Sequence, residues 1–165
     1  MIRRVISGGQ TGADQAGWRA AKKAGLETGG FMPMFFRTED GEHPEFAEMY
    51  GAEESRSPYY TQRTRWNVKH ADATIVFDEG LGTRKGMSGG TILAMQAADT
   101  YRKPIGFFNP NKVDASVVVD FLRKHNVETL NVAGNRESKS PGIGERVEAF
   151  LDEVFRILLT EEQSA

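Results

Sequence analysis

The fold is decided near the start of the chain, where residues 2–21 read IRRVISGGQTGADQAGWRAA. Ile2 to Ile6 are mostly apolar and β-branched, which indicates a short strand. The glycine-rich run Ser7 to Gly12 follows directly. A helix is predicted over 13–24, because alanines recur there at a spacing of three to four residues. Strand, glycine-rich turn and helix in this order are typical of an α/β domain.

The same order recurs along the chain. The patterns predict further strands at 73–78, 104–108 and 127–133, and further helices at 61–71, 90–101, 114–125 and 143–159. Residues 26–60 show no sustained period, and so long an irregular segment is usually functional or mobile. We therefore expect one α/β domain over 1–160, with three α/β/α layers around a mostly parallel sheet, and a polar tail at 161–165.

Three loops, at 7–12, 78–90 and 133–142, each leave the carboxyl end of a predicted strand. Parallel strands bring these ends to one edge of the sheet, where α/β proteins bind ligands. Glycines let the backbone approach a ligand closely, and a helix N-terminus offers unpaired N–H groups and a partial positive charge. Both features favour a phosphate or another anion. Hydroxyl donors stand beside the glycines at Ser7, Thr11, Ser88 and Thr91.

The loops match neither the GxGxxG dinucleotide fingerprint nor the Walker phosphate loop. For any one loop the alternative is a tight turn without a ligand. Convergence of three loops on one edge favours a binding site.

Composition excludes several classes of protein. A length of 165 residues fits one domain, and 39% hydrophobic with 27% charged residues argues against disorder. A net charge of -2 gives no global basic field for nucleic acid. No apolar run approaches the ~18 residues of a membrane span, and no signal peptide is recognised. The absence of cysteine excludes thiolate chemistry and fits a cytoplasmic location.

Six strings carry a resemblance to a known family: ISGGQTGADQAGWRAA, TGGFMP, TEDG, YTQRTRWNVKHADATIVF, SGGT and NVAGNRESKSPGI. They cover nearly the whole chain in the right order, and on them the sequence resembles the molybdenum carrier proteins. That family belongs to a Rossmann-like group that includes the LOG proteins, formerly called lysine decarboxylase-like. The resemblance implies a Rossmann-like fold, in the parent strand order or circularly permuted. It also implies molybdenum cofactor or a nucleotide-type ligand.

Transferred onto this chain, the resemblance implies a ligand site in the first two loops and the start of the first helix, at Gly8, Gly9, Gln10, Thr11, Gly12, Asp14, Ser88, Gly89, Gly90 and Thr91. Residue chemistry adds Arg63 and Asn67 from an aromatic and basic cluster, whose alternative is a core tryptophan with solvated arginines. The third loop adds Arg136, Glu137 and Ser138, whose alternative is a salt-bridged surface loop.

The first hypothesis on function is a carrier of an anionic, phosphate-bearing small molecule. The second is an enzyme acting on a nucleotide-derived substrate with Asp14, Glu137 or Asp78 as acid or base. A third is a ligand-sensing module. The LOG motif PGGxGTxxE ends in a glutamate, and Ala94 stands in its place. Because alanine transfers no proton, the sequence favours binding over that hydrolysis.

Metal and partner expectations rest on fewer residues. His43, His70 and His125 lack a metal-ligand spacing, so no metal site is predicted. Asp78 and Glu79 are the remaining candidates for holding a ribose or Mg²⁺. The apolar stripe of the last helix, residues 147–158, indicates either a core face or a subunit contact, and we expect a homo-oligomer. Neither a nucleic acid nor a membrane is expected as a partner.

Overall fold

The computed structural model describes residues 1–164, in which a six-stranded parallel sheet forms the middle layer. The strands in chain order are β1 (Arg4–Ile6), β2 (Glu27–Met32), β3 (Arg37–Thr38), β4 (Gly41–Glu42), β5 (Ala52–Glu54), β6 (Ala73–Phe77), β7 (Ile105–Phe108) and β8 (Thr129–Gly134). The large sheet has the order β5-β2-β1-β8-β6-β7, and all its neighbours pair in parallel. β3 and β4 form a separate antiparallel hairpin.

Helices cover both faces of the sheet. They are α1 (Ala13–Lys23), α2 (Phe46–Tyr50), α3 (Tyr60–His70), α4 (Gly89–Tyr101), α5 (Ala115–Lys124) and α6 (Ile143–Ser164), with a 3-10 turn at Met34–Phe36. α1, α5 and α6 bury their apolar residues on one face, whereas α3 and α4 pack together on the other. The predicted Rossmann-like α/β/α class is therefore confirmed. No helix within residues 1–164 has both the length and the apolarity to cross a bilayer.

The strand order reverses in the middle of the sheet. From β1 the chain moves outward to β2 and β5, whereas from β6 it moves the other way to β7. β8 returns last and lies between β1 and β6. The loops that follow β1, β6 and β8 therefore lie side by side at the carboxyl edge, where ligands bind in open α/β sheets.

Two sheet strands fall within residues 26–60, where no regular period is visible. β2 contains Thr28-Gly29-Gly30, which lacks the alternation expected of a strand. Gly30 has φ +124°, and a side chain there would collide with the Ser7 backbone. β5 is a three-residue edge strand with two exposed glutamates. Close backbone packing and edge position thus conceal both strands from pattern analysis.

The last helix is longer than predicted, and it runs to Ser164 rather than 159. Residues 161–164 of the expected tail continue this helix, and position 165 lies outside the described residues. Its apolar stripe is buried within the single chain against α1, α5 and the sheet. The homo-oligomer therefore stays a prediction, without support from the stripe that motivated it.

Helix α1 lies close to β8 because Gly17 has no side chain. A Cβ added at Gly17 would stand 2.7 Å from the Cβ of Val132, which is buried. We expect Gly17→Ala to lower the free energy of unfolding by about 1–3 kcal/mol through overpacking. The gain in helix propensity, about 1 kcal/mol, would act in the opposite direction.

Urea unfolding of Gly17→Ala in the wild-type and Val132→Ala backgrounds measures this coupling. The penalty should shrink when the valine side chain is shortened. An increased stability of the single variant, or a penalty that does not shrink in the Val132→Ala background, would contradict close packing at this position.

Candidate functional site

A cavity of about 510 Å³ opens at the carboxyl edge, where the loops after β1, β6 and β8 meet. Six of the residues predicted from the sequence line it: Gln10, Arg63, Ser88, Gly89, Gly90 and Arg136. They come from four separate parts of the chain, so the fold and not the local sequence brings them together.

The first turn of α4 faces this cavity. Ser88 is the N-cap, and its hydroxyl oxygen accepts from the Thr91 N–H at 3.3 Å. Gly89 and Gly90 are exposed, and no described residue accepts from their N–H groups. Two free N–H donors at the positive end of a 13-residue helix favour an anion.

The buried carboxylate of Asp78 holds this helix start in place. One oxygen accepts from the Gly80 N–H at 2.9 Å and the Asn135 amide at 3.2 Å. The other accepts from the Ser88 N–H at 2.9 Å and the Thr91 hydroxyl at 2.6 Å. Burial raises the pKa of Asp78, but these hydrogen bonds outweigh it and lower the pKa overall. Asp78 is therefore a charged anchor and not a free ligand for ribose or Mg²⁺.

Three cationic side chains at the cavity, Arg136, Lys85 and Lys139, form no salt bridge among residues 1–164. The guanidinium of Arg136 lies 5.4 Å from the centre of the Tyr60 ring. The Lys85 ammonium donates to the Lys139 carbonyl at 3.2 Å. Because these three positive charges have no carboxylate partner in the described part of the chain, the cavity carries unbalanced positive charge, which favours an anion.

Arg63 covers the first glycine loop from α3. It lies so close over Gly8 that a side chain there would collide with its guanidinium. Arg63 Nη1 bonds the Asp14 carboxylate at 2.7 Å, and its Cζ is 5.4 Å from the Tyr60 ring centre. Burial raises the pKa of Asp14, and the Arg63 charge offsets part of that rise. Asp14 thus orients Arg63 and does not face the cavity itself.

Several predicted residues serve the fold instead of the cavity. The Gly9 N–H donates to Ser7 Oγ at 3.0 Å, and a Gly9 side chain would meet Trp18 and Met32. Asn67 pairs with both backbone groups of Phe31, at 2.8 and 3.0 Å. Thr91 is buried, with its hydroxyl on Asp78. Each of these side chains or amides is occupied within the protein.

Four other predicted residues, Thr11, Gly12, Glu137 and Ser138, line a second, more open cavity of about 480 Å³. The Glu137 carboxylate accepts from the N–H groups of Gly142 and Gly144, the latter at 3.1 Å. It therefore holds the start of α6 and does not orient an anion. Thr11 and Ser138 both donate to Glu39, which the sequence indicated only as part of TEDG.

Glu79 joins the loop after β6 to α6. Its carboxylate accepts from Arg146 Nε and Nη2, both at 2.7 Å, and from Ser140 and Asn111. Burial raises the pKa of Glu79, but the hydrogen bonds from Arg146, Ser140 and Asn111 together have the larger effect. They lower the pKa from 4.5 to about 2. Within residues 1–164, no group of three or more His, Asp or Glu side chains is close enough for a metal ion.

We expect Glu79→Gln to destabilise the protein by about 1–2 kcal/mol at pH 7, because Arg146 loses its charged partner. The effect is no larger because Arg146 is partly exposed, and solvent screens the ion pair. The pKa of Glu79 is depressed from 4.5 to about 2, so its contribution is complete above pH 4.5 and disappears as the pH falls toward 2.

Urea unfolding of both proteins between pH 7 and pH 3 tests this expectation. The difference in stability should fall to less than half by pH 3. A constant difference across the range would contradict an ionised, paired Glu79.

Comparisons with known proteins agree with this architecture. A family model described as the circularly permutated YpsA SLOG family, cpYpsA, matches residues 5–155. A solved structure named "Putative molybdenum carrier protein", from Syntrophus aciditrophicus SB, is 32% identical to this chain, with a TM-score of 0.82. The match covers 93% of this chain and 94% of that one. No curated protein sequence matches significantly.

The family match spans the loops after β1, β6 and β8, and the similarity to the solved structure extends over almost the full length of both chains. The resemblance noted on six sequence strings is therefore confirmed. The chain belongs to the circularly permuted YpsA branch of the SLOG family.

Proposed function

We propose that this protein binds and carries an anionic, phosphate-bearing small molecule at the cavity between the loops after β1, β6 and β8. The observation that carries the proposal is that one cavity contains both two free N–H donors, on Gly89 and Gly90, and three cationic side chains without a carboxylate partner among residues 1–164. A phosphate matches both, because its oxygens accept hydrogen bonds and its charge balances the cations.

Molybdenum cofactor is the named candidate, because the similar solved structure is called a molybdenum carrier. This cofactor is a pterin with a phosphate group, and here it would be cargo. The unpaired N–H groups and cations suit its phosphate. Asp78 and Glu79 are fully engaged with protein donors, so the cavity offers the metal no free carboxylate from these two.

An enzyme acting on a nucleotide-derived substrate is the alternative, and three contacts argue against it. Asp14 is paired with Arg63, Asp78 accepts four hydrogen bonds, and Glu137 caps α6. Ala94, in the place of the LOG glutamate, is buried in α4. A carboxyl group acts as a general acid or base only where it reaches the substrate. These contacts favour a binding protein over an enzyme, and the absence of cysteine fits a cytoplasmic location.

Gly90→Val tests the proposal with little risk to the fold. A Cβ at Gly90 would have its nearest neighbour, Ser88 Oγ, at 4.0 Å, so the side chain would extend into the cavity. We expect phosphate and AMP to raise the unfolding temperature of the wild-type protein, and affinity to fall at least tenfold in Gly90→Val. That loss corresponds to about 1.4 kcal/mol.

Ser116→Val is the matched control, because Ser116 holds the same position after the N-cap of α5 and is exposed outside the cavity. It should respond to both ligands as the wild-type protein does. Equal protection of Gly90→Val and the wild type would contradict the proposal. Release of base from AMP at roughly 1 s⁻¹ or faster would favour the enzyme instead.

A further inference from the structure

Gln10 has an unusual position among the residues that line the cavity. Its side chain is only 4% exposed, and its Oε1 accepts from two backbone N–H groups, those of Thr11 at 3.0 Å and Glu39 at 2.9 Å. Two donors on one oxygen fix which way the amide faces. Its Nε2 is left buried, with no hydrogen-bond partner among residues 1–164.

A buried donor without a partner is unfavourable, and native proteins rarely leave one unpaired. Rotating the amide would not help, because it would place the NH₂ group against two N–H donors. An oxygen acceptor beside Gln10 Nε2 would therefore satisfy this buried donor. Since Gln10 lines the cavity, the ligand is the natural source of that acceptor.

Glu39 is the residue that keeps Gln10 in this orientation. It lies in the turn of the β3–β4 hairpin, which Thr38 closes by donating to the Gly41 carbonyl at 3.0 Å. The Glu39 carboxylate accepts from the Thr11 hydroxyl, and from the Ser138 N–H at 3.1 Å and hydroxyl at 2.5 Å. The hairpin is thus tied to the loops after β1 and β8 at once. Without these bonds the Glu39 N–H would no longer be held against Gln10.

We infer that Glu39 is a positioning residue for the cavity, and that it fixes the Gln10 amide so that Nε2 donates to an oxygen of the ligand. This inference rests on the proposed function. It extends that function by assigning a neutral donor on the side of the β1 loop, in addition to the N–H groups of α4. It also couples the β3–β4 hairpin, which does not line this cavity, to ligand binding.

The wild-type protein gives the first test, by a ¹H–¹⁵N NMR titration with inorganic phosphate and, separately, with AMP. The Gln10 side-chain NH₂ signals should shift and saturate at the same concentration as the Gly89 and Gly90 amides. A response to both ligands assigns the acceptor to phosphate. A response to AMP alone assigns it to the nucleoside part. No response while ligand binds overturns the inference.

Gln10→Glu provides the matching substitution. It keeps an oxygen for the Thr11 and Glu39 N–H groups, but it replaces the donor by an anionic oxygen. Affinity should fall at least tenfold for the ligand that moved the Gln10 signals. Wild-type affinity in a folded Gln10→Glu protein overturns the inference. If this variant unfolds, Gln10→Met, which also lacks the donor, takes its place. Its affinity should likewise fall at least tenfold, and wild-type affinity in a folded Gln10→Met protein overturns the inference.

Glu39→Ala and Glu42→Ala separate positioning from general stability. Glu42 lies on the same hairpin and is exposed. Glu39→Ala should weaken binding about three- to tenfold and shift the Gln10 NH₂ signals in the ligand-free spectrum. Glu39→Gln should lie between the wild type and Glu39→Ala in both measurements. Glu42→Ala should do neither. Equal behaviour of the two alanine variants overturns the role of Glu39.

The failures are distinguishable. If the wild-type protein binds neither phosphate nor AMP at millimolar concentration, the proposed function and the inference both fall. If it binds them at the α4 N-terminus while Gln10 and Glu39 variants behave as wild type, the proposed function stands and only the inference falls.

Discussion

The candidate site depends on one buried carboxylate, that of Asp78. Its four hydrogen bonds join the end of β6, the start of α4 and the loop after β8. Without this anchor, the free N–H groups of Gly89 and Gly90 would have no fixed direction. A negative charge at the start of α4 is also favourable for the helix, because it lies near the positive end of the helix dipole. Fold stability and site geometry thus meet in a single residue.

Around Asp78 the acidic side chains have partners within the protein, whereas three basic side chains at the cavity have no carboxylate partner within residues 1–164. Asp14, Asp78, Glu79 and Glu137 are all occupied by donors from the protein. Arg136, Lys85 and Lys139, in contrast, have no carboxylate partner among the described residues. A site arranged in this way favours an anion, because its basic groups are free while its carboxylates are already engaged by protein donors. This contrast supports the proposed binding role more directly than the glycine loops do.

Pattern analysis identified most of the sheet and the edge at which the site lies. The strands β1, β6, β7 and β8 consist mostly of apolar or β-branched residues, and parallel pairing then brings their loops together. It missed β2 and β5, because glycines that allow close backbone approach replace the usual strand residues in β2, and β5 is a short, exposed edge.

The limits at the site have a different cause. Glycine loops and polar side chains marked the region where the cavity lies, but the sequence does not show which polar groups are already paired. Asn67 holds Phe31, 36 residues away, and Glu137 caps the next helix. Glu39 reaches Ser138 across 99 residues. Pairings over such separations depend on the tertiary fold, so only the structure distinguishes polar groups left free at the cavity from those that support its loops.

The central claim is that an anion binds at the start of α4, and a crystal structure of the protein with AMP tests it most directly. We expect phosphate density within hydrogen-bond distance, about 2.7–3.2 Å, of the Gly89 and Gly90 nitrogens, with Arg136 turned toward it. Phosphate density in the second cavity, or bound AMP with its phosphate directed to solvent, would contradict the account.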